Sequence, residues 1–304
     1  WRDVLIPAFQ KLHPGIQVTF RASSPRDFAT DLTQRLQNGE AGDIIFCRPF
    51  DQSADLYAKG YLAPLGDLAG LKNFSEGARA AWSTDGGKQT YCLPTAFVAL
   101  GFLYNTDALS KVGAGEPRTR REFLALLEKL KMDGTYIPLA LGTAEQWEAA
   151  TMGLQNIGAS DWRGDDGRLS VIAGAQKLNE APYIAALREL QTWRSYLPND
   201  FQNLSYKDAR DLFISGNAAI YPAVSWDLAP IRVQSKIQLG AFKPPRLTDD
   251  QECYVTMQPD VGLGINANST NKAEAKLFLD FVASKEFAEL LANNIPGLFP
   301  MTDE

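Results

Sequence analysis

The sequence predicts an α/β protein with more than one core. Two observations carry this. Stretches with apolar residues at helical spacing alternate with short apolar runs of strand character, the grammar of a largely parallel sheet with helical crossovers. The chain also has 304 residues, 45% of them hydrophobic and 22% charged. That is an ordinary soluble composition and length enough for two α/β lobes.

The elements follow in order. Val4, Leu5, Ala8, Phe9 and Leu12 share one helical face, and Pro7 fits if it lies in the first turn. Residues 16–20 alternate apolar and polar, as a half-buried strand does. A helix is predicted from Pro25 to Asn38, ended by Gly39, and residues 43–47 read as a buried strand. Residues 98–104 form another apolar strand. Thr119 and Glu122 precede Phe123, Leu124, Leu126 and Leu127. This is a capping box, in which the Thr hydroxyl accepts an N–H at the helix start and the Glu reaches back. The helix should end near Asp133-Gly134, with a strand at 136–142 to follow. Helical patterns occupy 145–158, 181–196 and 206–215, and Gly216 is placed to end the last in a left-handed conformation. Residues 218–221 and 237–242 read as strands, and 243–252, rich in Pro and charge, as a loop. A short strand at 261–265 precedes a long amphipathic helix, capped from Asn271 and carrying Leu277, Phe278, Phe281 and Val282. A further helical stretch runs to Leu291.

Composition removes several classes of function. The net charge is −6, and Lys and Arg are dispersed, which argues against nucleic acid or an anionic membrane as partner. No apolar run approaches the ~18 residues of a membrane span. The opening Trp1-Arg2-Asp3 has no signal-peptide pattern, but an exported protein would already have lost one. The single histidine, His13, lies in the turn Leu12-His13-Pro14-Gly15, so no multi-His metal site can form and the commonest general base is scarce. Cys47, Cys92 and Cys253 match no zinc or redox spacing. Three buried thiols is the first expectation, and one disulfide with a free thiol is the competing one. No cofactor, metal or catalytic residue is predicted.

Several segments, taken together and in order, resemble the extracellular solute-binding proteins of sugar ABC importers, in particular the maltodextrin-binding branch. They include His13-Pro14-Gly15-Ile16-Gln17-Val18, Gly42-Asp43-Ile44-Ile45-Phe46, and Tyr57 to Leu65 with its Gly60 and Pro64. Tyr91-Cys92-Leu93-Pro94 and Leu103-Tyr104-Asn105 continue the pattern. So do Phe213 to Ile220 before Ser225-Trp226, Gly262 to Ala275 before Phe278-Leu279-Asp280-Phe281, and Ile295-Pro296-Gly297. The departures lie at the ends: the family opens on a strand ahead of the first helix and continues with helices past the late Pro segment.

The resemblance implies a type II-like, two-lobed periplasmic-binding-protein fold whose lobes close by a hinge over a central cleft. Lobe one would hold residues 1–104 plus 260–292, and lobe two 105–258 plus 293–304. It implies binding of a sugar, oligosaccharide or sugar derivative and delivery to an ABC transporter's membrane subunits. The protein would be exported, periplasmic or a cell-surface lipoprotein, a monomer, without nucleic acid and without catalysis. Sugar rings have apolar C–H faces that stack on aromatics and hydroxyls that need paired donors and acceptors. Three loops offer that mixture: one with Arg48 and Asp51, one with Glu145, Gln146 and Trp147, and one with Trp226 and Asp227. Trp226 would lie beneath one sugar ring and Asp51 opposite it. Thr95, Gln258 and Phe299 complete the expected site. Cys47 stands where the maltodextrin branch carries a Trp, so no stacking ring is expected there.

Rival readings are a glycoside hydrolase, which needs two carboxylates across a cleft, and a ligand-sensing module. Within the binding family the ligand could be a polyamine or a phosphorylated polyol. An anion would need a cation in the cleft, and Arg48 is the one evident candidate.

Overall fold

The computed structural model describes residues 1–23 and 27–302. The chain divides into two compact units: Trp1–Val98 with the segment from Gln258 onward, and Ala99–Met257. Among the described residues the strands are β1 (Ile44–Cys47), β2 (Leu93–Asn105), β3 (Ile137–Leu139), β4 (Ala218–Val224), β5 (Leu239–Phe242), β6 (Met257–Ile265) and β7 (Phe299–Pro300). The division falls inside β2 and at the start of β6. Of the segment 293–304, expected in the second lobe, the described residues 293–302 group instead with the first unit. The reason is local: β7 pairs with β2 at Ala96 and Phe97, and Ile295, Leu298 and Met301 pack on that unit's core.

The sheets are mixed rather than largely parallel. In the first unit β1 runs antiparallel to β6, from Ile44 opposite Ile265 to Cys47 opposite Gly262. In the second, β4 and β5 flank β2 antiparallel, and β3 lies parallel to β4. A helical crossover favours parallel pairing only between the strands it joins, as with β3 and β4. Strands β2 and β6 reach their neighbours by other routes.

The first core gathers where the sequence pattern put it. Leu5, Ile6 and Phe9 are the buried face of the helix Leu5–Leu12, with Pro7 in the first turn, where its missing N–H has no helical partner to lose. Phe9 meets Phe278 edge to face at 5.0 Å between centroids and Phe281 at 5.7 Å. Residues 16–20, expected as a strand, form none. Ile16 and Val18 still turn to the core. Alternation reports which face is buried, not whether the backbone has a ladder partner. The predicted start of the next helix, at Pro25, lies outside the described residues; its remainder is the helix Phe28–Asn38.

In the second unit Phe102 of β2 is the hub. It stacks on Phe242 at 5.0 Å and packs against Phe123 at 5.1 Å and Trp193 at 5.9 Å. Burying each such side chain stabilises the fold by about 1.5–3 kcal/mol, so truncating Phe102 would leave a void against three aromatic neighbours. The helix Arg120–Asp133 starts with the expected capping box, Thr119 Oγ1 accepting from Glu122 N–H and the Glu122 carboxylate accepting from Thr119 N–H at 3.2 Å. The helix Tyr206–Ile214 ends as expected before Gly216, whose φ is +78°. Asn271, expected to cap the helix Lys272–Val282 with its side chain, does not. Its amide donates instead to Asp43 Oδ1 at 3.3 Å. No helix among the described residues is long and apolar enough to cross a membrane.

Candidate functional site

Each unit carries a set of the predicted binding residues on loops that follow strands. In the second unit β4 is buried along its whole length. It delivers Ser225, Trp226 and Asp227 into a short 3-10 turn at its end. Asp227 is fully buried, with 0% exposure. Trp226 is half-buried.

A directed chain of hydrogen bonds holds Trp226. An indole can only donate, so Trp226 Nε1–H must donate to Tyr206 Oη, at 2.9 Å. Tyr206 then has one proton left, and it goes to Asp227 Oδ1. Tyr221 donates to the other carboxylate oxygen at 3.2 Å. The Arg210 guanidinium stands 3.8 Å from Oδ1 and 5.3 Å from the Tyr206 ring centroid. Burial pushes the Asp227 carboxyl up to about 6, while Tyr206, Arg210 and Tyr221 pull it the other way. Burial and the adjacent carboxylate raise both tyrosines. A phenol that stays protonated is what this donor role requires.

The loop after β3 completes the cluster. Trp147 lies 5.0 Å from the Tyr206 ring and 6.4 Å from the Trp226 ring, tilted to both. Its indole N–H donates to Glu145 Oε2 at 3.1 Å. Gln146, between them, is exposed and has φ +67°. Glu145, Gln146, Trp147, Trp226 and Asp227 are therefore brought together in one unit. Asp227 is too deeply buried and too fully bonded to meet a ligand directly; its place is behind Trp226. Tyr206, Tyr221 and Arg210 were absent from the predicted site. The one signal for them was Tyr206, opening a helix at the end of a polar loop.

In the first unit Arg48 follows β1, its guanidinium 5.4 Å from the Phe28 ring centroid. Asp51 opens the helix Asp51–Ala58 and is exposed. Thr95 is buried, its hydroxyl donating to Leu93 O at 3.3 Å. Gln258 and Asp260 are half-buried on β6. Burial pushes the Asp260 carboxyl up to about 6, against the charge of Arg48. Phe299, 39% exposed, stacks on Phe97 at 5.3 Å.

Cys47 does not carry a free thiol. It forms a disulfide with Cys92, their Cα atoms 6.6 Å apart, and Cys253 is the exposed free cysteine. This overturns the expectation of three buried thiols: β1 and the start of β2 bring two distant cysteines within bonding reach. Gly264, opposite Ile45 in the ladder, makes room, since a Cβ there would lie 2.9 Å from both sulfurs. No group of three or more His, Cys, Asp or Glu among the described residues could hold a metal.

Comparison with known proteins agrees with this architecture. The chain is 24% identical over 298 residues to a protein named multiple sugar-binding protein from Streptococcus mutans, covering 92% of this chain and 67% of the relative. It is 26% identical over 226 residues to an uncharacterised ABC transporter extracellular-binding protein of Pyrococcus horikoshii, covering 73% of this chain. The chain spans 52% of that relative's length. Among solved structures, one from work on xylan utilization by Caldanaerobius polysaccharolyticus superposes with a TM-score of 0.83 at 19% identity, covering 98% of this chain and 77% of the other. A chitin oligosaccharide binding protein superposes at 0.80 and 21% identity, covering 99% and 76%. RafE in complex with raffinose does so at 0.79 and 19% identity, covering 98% and 78%. The family of bacterial extracellular solute-binding proteins matches residues 1–289, and the chain belongs to that family.

Proposed function

We propose that this protein binds a small saccharide or sugar derivative and hands it to the membrane subunits of an ABC importer, as an exported, monomeric component. The observation that carries this reading is the aromatic and polar cluster of the second unit. Trp226 is oriented through Tyr206 by a buried carboxylate and flanked by Trp147 with its Glu145 partner. Such a cluster suits a sugar in two ways. The indole faces can stack on C–H surfaces, and the carboxylate and amide of Glu145 and Gln146 can pair with hydroxyls. The raffinose bound to RafE, and the sugar and chitin oligosaccharide in the names of two other relatives, support the same class. Arg48 is the one evident cation the sequence offers an anionic ligand, which favours a neutral one. Asp51, Thr95, Gln258 and Phe299 of the first unit are proposed ligand contacts in this reading as well. Binding and release need no bond to be made or broken, so the function proposed is transport and not catalysis.

The test is thermal unfolding against a panel: raffinose, xylotriose, N,N′-diacetylchitobiose and monosaccharides, with polyamines and phosphate esters alongside. A ligand at ~100 times its Kd adds about 2.7 kcal/mol to stability, a shift of several degrees. A response confined to polyamines or phosphate esters would overturn the saccharide reading.

A further inference from the structure

Phe50 has a backbone conformation that a phenylalanine should avoid. It precedes the helix Asp51–Ala58 with φ 61° and ψ −132°. These are close to the angles of the first central residue of a type II′ turn, a place dominated by glycine because a Cβ is crowded there. The chain itself supplies the comparison. Gly164 precedes the helix Asp165–Ile172 with φ 61° and ψ −126°, the same conformation in the same position, and there the residue is glycine.

The strain is held in place from several directions. Phe50 N–H donates to Ala81 O at 2.8 Å, and its own carbonyl accepts from Ala54 N–H at 3.0 Å and Ser53 Oγ at 3.2 Å. Three residues back, Cys47 is tied to Cys92, and its carbonyl accepts from Trp82 Nε1–H at 3.2 Å. A clamped loop of this kind can keep a strained residue. Packing does not explain why that residue is a phenylalanine. The side chain is 53% exposed, so the strain is accepted without burying the ring. Among the described residues three non-glycine residues have positive φ: Phe50, Gln146 and Arg163. Two of them, Phe50 and Gln146, stand in the loops after β1 and β3, beside Arg48 and Asp51 in one case and Trp147 in the other. Loops at strand ends are where α/β sheets gather ligand contacts, and backbone strain concentrates at such sites.

We propose that Phe50 is a ligand-contacting residue, its exposed ring the first unit's stacking surface for the C–H face of a pyranose. The inference rests on the saccharide reading above and adds a specificity element to it. Cys47 at the end of β1 has no ring and is tied to Cys92, so Phe50 is the aromatic this loop offers. It would favour sugars with a continuous apolar face over polyols and polyamines, which have none.

The experiment compares Phe50→Gly, Phe50→Ala and Phe50→Tyr with the wild-type protein. It reads the unfolding midpoint without ligand, and Kd by calorimetry for whichever of raffinose, xylotriose or N,N′-diacetylchitobiose the wild type binds most tightly. Glycine relieves the strain and removes the ring, so Phe50→Gly should raise the midpoint by about 2 °C or more and raise Kd by about 10-fold or more. Phe50→Ala should weaken binding as much, without the gain in stability, and Phe50→Tyr should bind within about threefold of wild type. A Phe50→Gly protein that folds and binds with unchanged Kd overturns the inference, whether or not it is more stable. A wild-type protein that responds to no saccharide of the panel above but to polyamines or phosphate esters overturns the saccharide reading itself, and the inference falls with it.

Discussion

Replacing Tyr206 with phenylalanine removes one oxygen and should disturb stability, affinity and pH dependence together. The oxygen serves two partners: it accepts from Trp226 Nε1 at 2.9 Å and donates to the buried Asp227 carboxylate. A hydrogen bond to a charged group contributes about 1.5–3 kcal/mol, and an ordinary one about 1 kcal/mol. Trp226 is half-buried and can recover part of its loss from water. The variant should therefore be less stable by about 2–3 kcal/mol at pH 7, a fall of roughly 5–10 °C in the unfolding midpoint. Freeing the Trp226 side chain adds an ordering cost on binding of about 0.5–1.5 kcal/mol, so Kd should rise about threefold to tenfold. The pH dependence gives the sharper signature. Asp227 titrates at about 6 in the fold against 3.8 when unperturbed. The native state thus holds this proton more tightly than the unfolded chain, and the group's contribution to stability is greatest at low pH and is lost as pH rises through about 6. The Tyr206 hydroxyl favours the ionised carboxylate, so its removal raises the Asp227 pKa further. The stability gap between variant and wild type should then narrow from pH 7 to pH 5 in urea titrations. A gap constant with pH, or an unchanged Kd, would refute the claim that Tyr206 couples Asp227 to Trp226.

Further perturbations test the first unit. The Cys47–Cys92 bond closes a loop with a sequence separation of 45, so its reduction should lower stability by about 3–4 kcal/mol, read from urea midpoints with and without a phosphine reductant. Thiol titration of unreduced protein should find Cys253 alone reactive; two further thiols should appear only after reduction. In Gly264→Ala the added methyl would meet both sulfurs at 2.9 Å, an overpacking cost of about 1–3 kcal/mol. That cost should shrink when Cys47 and Cys92 are both alanine, and a double-mutant cycle without such coupling would show that the disulfide is not what Gly264 accommodates.

How much of this was legible depended on whether the governing interaction was local. The Thr119–Glu122 capping box lies within four residues, and it formed as read. Gly216 likewise depends only on its own φ. Asn271 had the right residue type for a cap, but Asp43, distant in sequence, captured its amide. Residues 16–20 showed their burial by alternation, yet a strand also needs a neighbour, which alternation cannot reveal. The cysteines failed for the same reason: only the pairing of β1 with β6 and the course of β2 bring Cys47 to Cys92. In the candidate site Trp226, Trp147 and Glu145 were legible because stacking and pairing chemistry restrict the residue types. Tyr206, Tyr221 and Arg210 were not, since their role exists only once Asp227 is buried among them. Residue type does not single out Phe50 within its loop; its backbone angles do.

The central claim is that Trp226 is the platform on which a sugar rests. It is tested most directly by calorimetric titration of wild type and Trp226→Ala with the saccharide that stabilises the wild type most. The expected result is one site per chain, with Kd raised tenfold or more in the variant, since a stacked aromatic removed from contact forfeits about 1.5–3 kcal/mol. Equal affinity in the two proteins would contradict the account, and so would a wild-type protein that takes up no saccharide at all.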